Sequence, residues 1–138
     1  MSRETGRAVA LAAEALVGVR FRLHGRDPRW GLDCVGLVAA ALEPAGIDAR
    51  PPADYGLRNA EARDASVLAR HSGLVPAQNP VRPGDILLVR AGPAQVHLLV
   101  ASTTGGFIHA HAGLRRVVAC PGAPPWPVLH HWRPIAKG

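Results

Sequence analysis

Residues 30–42 read WGLDCVGLVAAAL. From Cys34 onward the run holds only cysteine, glycine, alanine, valine and leucine, and Pro44 and Gly46 follow shortly after it. Asp33 suits an N-cap, because a carboxylate there accepts the unpaired N–H groups of a first helical turn. Proline and glycine beyond Glu43 stop such a helix. The spacing therefore predicts a buried helix from Cys34 to about Glu43, with the cysteine in its first turn. Free N–H groups and the positive end of the helix dipole favour the thiolate there, and the thiolate is the reactive form. A free cysteine is otherwise a small buried hydrophobe. Residues elsewhere in the chain have to decide between nucleophile and core residue.

On the N-terminal side, Val9, Ala12, Ala13, Leu16 and Val17 recur at helical spacing, predicting a first helix from Thr5 to Val17 that Gly18 ends. The polar stretch Val19–Asp33 reads as a loop with a short extended piece. On the C-terminal side, Arg50–Gly56 is a connector, and a third helix is expected from an Asn59 cap to Gly73. Residues 74–85 are turn-rich, and Pro83-Gly84 suits a type II turn leading into a strand. Short apolar runs then alternate with glycine, proline and polar residues: Asp85–Arg90, Gln95–Ser102, Gly105–His111, Arg115–Cys120 and Trp126–Trp132. These read as consecutive antiparallel strands. Helices first and strands second predict an α+β fold in which N-terminal helices pack on a C-terminal antiparallel sheet.

The 138 residues suit one domain, 1–138, able to bury a core without disulfide or metal staples. Neither an internal repeat nor a linker divides it. Nearly half the residues are hydrophobic (48%) and mean hydropathy is close to zero, as in an ordinary globule. The net charge of +6 comes mainly from scattered arginines. With no basic run and no aromatic-rich strand, nucleic acid is not the expected partner. A solvated surface or an anionic polymer such as bacterial cell wall accounts for the charge. No stretch approaches the ~20 apolar residues of a membrane span. Glu4 and Glu14 interrupt what would otherwise resemble a leader, so the chain is expected to be made in the cytoplasm without a signal peptide.

Thiol chemistry needs a base, and His97 in QVHLLVA is the candidate: strand alternation places it with Gln95 and Leu99, opposite Val96 and Leu98. Phe107, His109 and His111 share one face of the next strand. If the two strands pair, His109 can hydrogen-bond the far nitrogen of the His97 ring and fix its tautomer, with His111 as the same-face competitor. One cysteine and three histidines raise zinc, but the spacings lack the short paired-ligand motifs of a zinc site, so neither metal nor cofactor is expected. His24, His71, His130 and His131 read as surface or interface residues, and Cys120 as structural.

These residues resemble the NlpC-type cell-wall cysteine peptidases, a papain-like family. Its Gly-x-Pro-Tyr-x-x-Gly-Gly corresponds to Gly18–Gly25 and its Asp-Cys-Ser-Gly-Leu to Asp33–Leu37. Its Pro-Gly-Asp corresponds to Pro83–Asp85, its His-Val-Gly-Ile to His97–Val100, and its Phe-Ile-His-Ala to Phe107–Ala110. The resemblance runs from about Leu11 to Val118. It implies a papain-like fold, Cys34 as nucleophile, His97 as general base and acid, and His109 in preference to His111 as the orienting third residue. Phe21, Asp33 and His111 are expected along the substrate. Phe21 stands where the family has tyrosine, Val35 where it has serine, and Leu23-His24 where it has an aromatic-glycine pair.

The implied activity is cleavage of peptidoglycan stem peptides. The form of residues 25–38, GRDPRWGLDCVGLV, resembles the short members encoded with phage tails and gene transfer agents, which implies other tail proteins as partners and action in the cell wall. The expected partners include neither nucleic acid nor membrane. A catalytically silent tail-tip or wall-binding module and a secreted type VI-style wall amidase are the alternatives.

Overall fold

The computed structural model describes residues 2–47, 73–93 and 95–135. The connector and the third helix expected between Arg50 and Gly73, His71 included, lie outside the described residues. Helix α1 spans Ser2–Ala15, and α2 spans Cys34–Leu42 followed by a 3₁₀ turn at Glu43–Ala45. A small hairpin, β1 (Arg26–Asp27) and β2 (Gly31–Leu32), precedes α2. Six further strands follow: β3 (Leu74–Pro76), β4 (Ile86–Gly92), β5 (Gln95–Ala101), β6 (Phe107–His111), β7 (Arg116–Cys120) and β8 (Val128–Pro134). They form one antiparallel sheet in the order β3-β8-β4-β5-β6-β7. The α+β architecture expected from the sequence is the one observed.

Why α2 is buried follows from its composition. Leu37, Val38, Ala41 and Leu42 are fully enclosed, and α2 packs on β5 and β6 while α1 packs on α2 and β8. Each wholly buried leucine contributes about 1.5–3 kcal/mol relative to exposure. The alternation of the strands divides their side chains between two faces. Val96, Leu98, Val100, Ile108 and Ala110 join Cys34 and Leu37 in the helix-covered core, whereas Leu87, Val89, Leu99 and Phe107 form a second cluster with Cys120 and Trp126. Glu14 locks α1 to the turn after β5 by accepting the Thr103 N–H and hydroxyl, each at 2.7 Å. Among the described residues no helix is long and apolar enough to cross a membrane.

Two parts of the sheet depart from expectation. Leu74–Pro76, read as part of a turn-rich segment, is an edge strand, made so by pairing with β8. The last strand runs Val128–Pro134 and sits inside the sheet between β3 and β4 instead of extending the meander. Such long-range pairing leaves no local trace in the sequence.

The expected type II turn is present: Asp85 N–H donates to Arg82 O at 3.0 Å, and Gly84 takes the left-handed φ of 85° that this position requires. It aims Asp85, 0% exposed, at β8. The Asp85 carboxylate accepts the Arg82 N–H at 2.9 Å, Arg133 Nε at 2.9 Å and Arg133 Nη2 at 2.8 Å, and His131 Nε2 lies 2.6 Å away. The sequence reading gives His131 a surface or interface position. In the structure it is a partner of a buried carboxylate.

Candidate functional site

Asp33 organises the approach to α2. Its carboxylate caps the helix by accepting the Gly36 N–H at 2.8 Å, takes the His24 N–H at 2.8 Å, and meets Arg26 Nη1 at 3.3 Å. Gly36 lets the loop lie directly on the first turn, since a Cβ there would strike the Gly25 carbonyl. At 1% exposure Asp33 acts on the chain, not on a substrate, contrary to the expectation from sequence. Asp33→Ala should therefore cost about 2 kcal/mol, through a lost cap and two stranded N–H groups. Thermal melts should show a fall in Tm of roughly 5–8 °C.

Cys34 occupies the first turn as expected, but it is only 5% exposed. Burial, reinforced by the Asp33 charge, pushes its thiol up to about 11, against the backbone N–H groups of Leu98, Val35 and Cys34 itself, which favour the thiolate. Desolvation therefore outweighs the preference for the thiolate expected from the free N–H groups at the helix start.

Cys34 packs with Leu98 beside a gap in the sheet. β5 pairs with β4 from Gln95 to Val100, but with β6 only at Val100–Ile108 and Ala101–Phe107. From Leu99 back to Gln95 the β5–β6 ladder is absent, and His97 adjoins the opening.

Three histidines gather on the sheet face that carries Leu99 and Phe107. The His97 and His109 ring centroids are 5.0 Å apart at 63°, and His109 and His111 are 5.3 Å apart at 49°. Trp126 closes over His109 edge-on at 5.7 Å. With Gln95 these side chains line a cavity of about 200 Å³. The sequence reading missed Trp126 as a wall of this cavity, because nothing local links residue 126 to the β6 histidines.

Two expectations need correction here. Strand alternation puts His97 with Leu99, on the face opposite the Val96 and Leu98 that pack with Cys34, and no hydrogen bond joins His97 to Cys34 among the described residues. The rings of His97 and His109 touch edge to face instead of sharing a hydrogen bond. His109 is 4% exposed, and neither of its ring nitrogens has a partner among the described residues. His111 is tied locally, its Nδ1 accepting the Leu114 N–H at 3.0 Å, while lining the cavity beside His97. Phe21 is half-buried against the helix-covered core and donates its N–H to Arg115 O at 2.9 Å. Among the described residues no three His, Cys, Asp or Glu side chains converge as metal ligands.

Burial, then the His111 charge, lowers the His97 pKa below its ordinary 6.5. Burial, followed by repulsion from His97 and His111, takes His109 down to about 4. Both rings are therefore neutral at neutral pH. Below 6.5 the unfolded chain protonates first, so the stability held by a neutral His109 is complete above pH 6.5 and lost as pH falls through about 4. The loss should be on the order of 3 kcal/mol. Urea unfolding at pH 7.5 and 4.5 should show it, and His109→Gln should flatten the difference.

Comparison with solved structures retrieves the same overall fold. The chain superposes on NlpC1 from Trichomonas vaginalis with a TM-score of 0.68 at 24% identity, over 92% of this chain and 44% of that one. NlpC2 from the same organism gives 0.71 at 22% identity, over 94% and 46%. The chain has the NlpC/P60 fold. It spans less than half the length of either Trichomonas protein. The NlpC/P60 domain of the peptidoglycan hydrolase SagA shares the fold with a TM-score of 0.58 at 20% identity, over 84% of this chain and 88% of that one. No protein-family model and no curated protein sequence matches the chain.

Proposed function

We propose that this protein is a cysteine peptidase that hydrolyses an amide of peptidoglycan stem peptides, with Cys34 as nucleophile, His97 as general base and acid, and His109 as the residue that backs the His97 ring. The observation that carries the reading is the placing of Cys34. It opens α2 and packs in the helix-covered core with Leu98, next in sequence to His97, where β5 parts from β6. The NlpC/P60 fold, held in common with a domain of a peptidoglycan hydrolase, supports the substrate class.

With the thiol raised and His97 lowered, the resting pair is neutral. For the reaction the His97 ring has to reach Cys34 through the opening beside β5, since no hydrogen bond joins them among the described residues. The Cys34 proton then passes to His97 as the sulfur attacks the amide carbonyl. Backbone N–H groups of the first turn of α2 face the developing oxyanion. The tetrahedral adduct collapses to a thioester as protonated His97 gives its proton to the departing amine. Water, deprotonated by His97, then hydrolyses the thioester and restores the thiol. Incubation with purified peptidoglycan should release new amino groups and muropeptide fragments detectable by mass spectrometry. A substrate left intact under conditions where the protein stays folded would overturn the reading.

The setting included in this proposal is a phage-like tail or gene transfer agent: synthesis in a bacterial cytoplasm, assembly with other tail proteins and action in the wall. The form of residues 25–38 supports it. A catalytically silent module is the second reading, favoured by Phe21 in place of tyrosine and by the burial of the Cys34 thiol. Co-purification with tail particles tests the setting separately from the chemistry.

A further inference from the structure

A second cavity, of about 300 Å³, is lined by Arg3, Gly6, Arg7, Arg82, Pro83 and Arg133. None of these residues borders the histidine cavity. Three separate parts of the chain build it: the first turns of α1, the type II turn before β4, and β8. Gly6 and Gly84 bring the first two together backbone to backbone, since a Cβ on Gly6 would meet the Pro83 carbonyl and one on Gly84 would meet the backbone of Gly6. The arginines therefore stand around a floor that the fold holds in place.

Among the described residues their charges are not balanced from within. Arg133 is committed to Asp85 through Nε and Nη2 at 2.9 and 2.8 Å. Arg3, Arg7 and Arg82 have no carboxylate partner among the described residues, and Glu4, the acidic residue in the first turn of α1, forms no ion pair there. Arg3 and Arg7 stand one helical turn apart on α1, a like-charge spacing that is unfavourable in itself. The positive end of the helix dipole lies on the same side. Several guanidinium groups with no carboxylate partner among the described residues, around one small cavity, favour a multiply charged anion over a single carboxylate, and guanidinium forks match phosphate oxygens two at a time.

We propose that this cavity binds a phosphate group, borne by a small phosphate ester or by a phosphodiester repeat of a wall polymer. The site is independent of the peptidase reading. Its test is calorimetric titration and amide NMR of the full chain, at fixed low ionic strength, with inorganic phosphate, pyrophosphate, glycerol phosphate and acetate as probes. Pyrophosphate should bind most tightly, with shifts centred on Gly6, Arg7 and Gly84, and acetate should not bind measurably. Arg7→Gln and Arg82→Gln should each weaken pyrophosphate binding about tenfold. Arg90→Gln, altering an exposed arginine on β4, should leave it unchanged. Poly(glycerol phosphate) binding well above glycerol phosphate assigns the polymer as the source, and equal affinity assigns the small ester. Equal binding of acetate, shifts spread over all arginines, or undiminished binding by a folded Arg7→Gln/Arg82→Gln double variant overturns the site. So does a DNA duplex that binds tightly and is not displaced by pyrophosphate.

Discussion

Cys34→Ala is expected to lower peptidoglycan hydrolysis by at least about a thousandfold, because the reaction then loses its only covalent route and keeps only binding and oxyanion contacts. The substitution removes one buried sulfur atom, so the fold should survive at a cost of roughly 1 kcal/mol, verified by thermal melting. Cys120→Ala, at the far end of β7, should leave the rate unchanged. The raised thiol adds a kinetic signature. Alkylation of Cys34 should accelerate about tenfold per pH unit above neutrality and reach its plateau only near 11. His97 must be neutral to accept the proton, and its pKa is lowered, so the acid limb of kcat/KM should fall below pH 6.5. Full activity in Cys34→Ala would return the thiol to the core and assign hydrolysis to other residues, whereas no activity in either form would leave the silent-module reading in its place.

The helix that carries Cys34 was readable from its sequence because every signal in it is local. A capping aspartate, an apolar run and a Pro-Gly stop lie within a few residues of one another, and the cap bonds to Gly36 as expected. The strands from Ile86 to Cys120 were readable for the same reason, since alternation and turn residues bound each one. Alternation also placed His109 and His111 on one face. What it could not give is register between neighbours. The parting of β5 from β6 decides that His97 adjoins a gap and meets His109 by ring contact instead of a hydrogen bond. Desolvation of Cys34 is likewise a property of the packed sheet and helix, not of residues 33–37. β3 and the interior position of β8 depend on pairing across much of the chain, and with them the partnership of Asp85 and His131.

That partnership sets the second large effect. Asp85→Ala should destabilise the protein by about 3–5 kcal/mol, the usual result of removing one partner from a buried charge cluster. The carboxylate is wholly enclosed, and its loss leaves Arg133 Nε, one Arg133 Nη2 bond, His131 Nε2 and the Arg82 N–H without their acceptor. Since Arg133 also donates to Pro80 O at 3.1 Å, the strand β8, the turn before β4 and the segment leading to it should loosen together. Urea unfolding would measure the loss, and amide exchange should rise first around Arg82 and Arg133. Asp85→Asn should recover part of it, because an amide oxygen still accepts one bond but cannot serve both nitrogens of the guanidinium. The double variant Asp85→Leu/Arg133→Met should be more stable than Asp85→Ala alone, since it strands no guanidinium charge. A loss of under about 1 kcal/mol in Asp85→Ala would instead class the cluster with ordinary surface ion pairs. The β8 strand would then owe its interior place to Trp132 and to its ladders with β3 and β4.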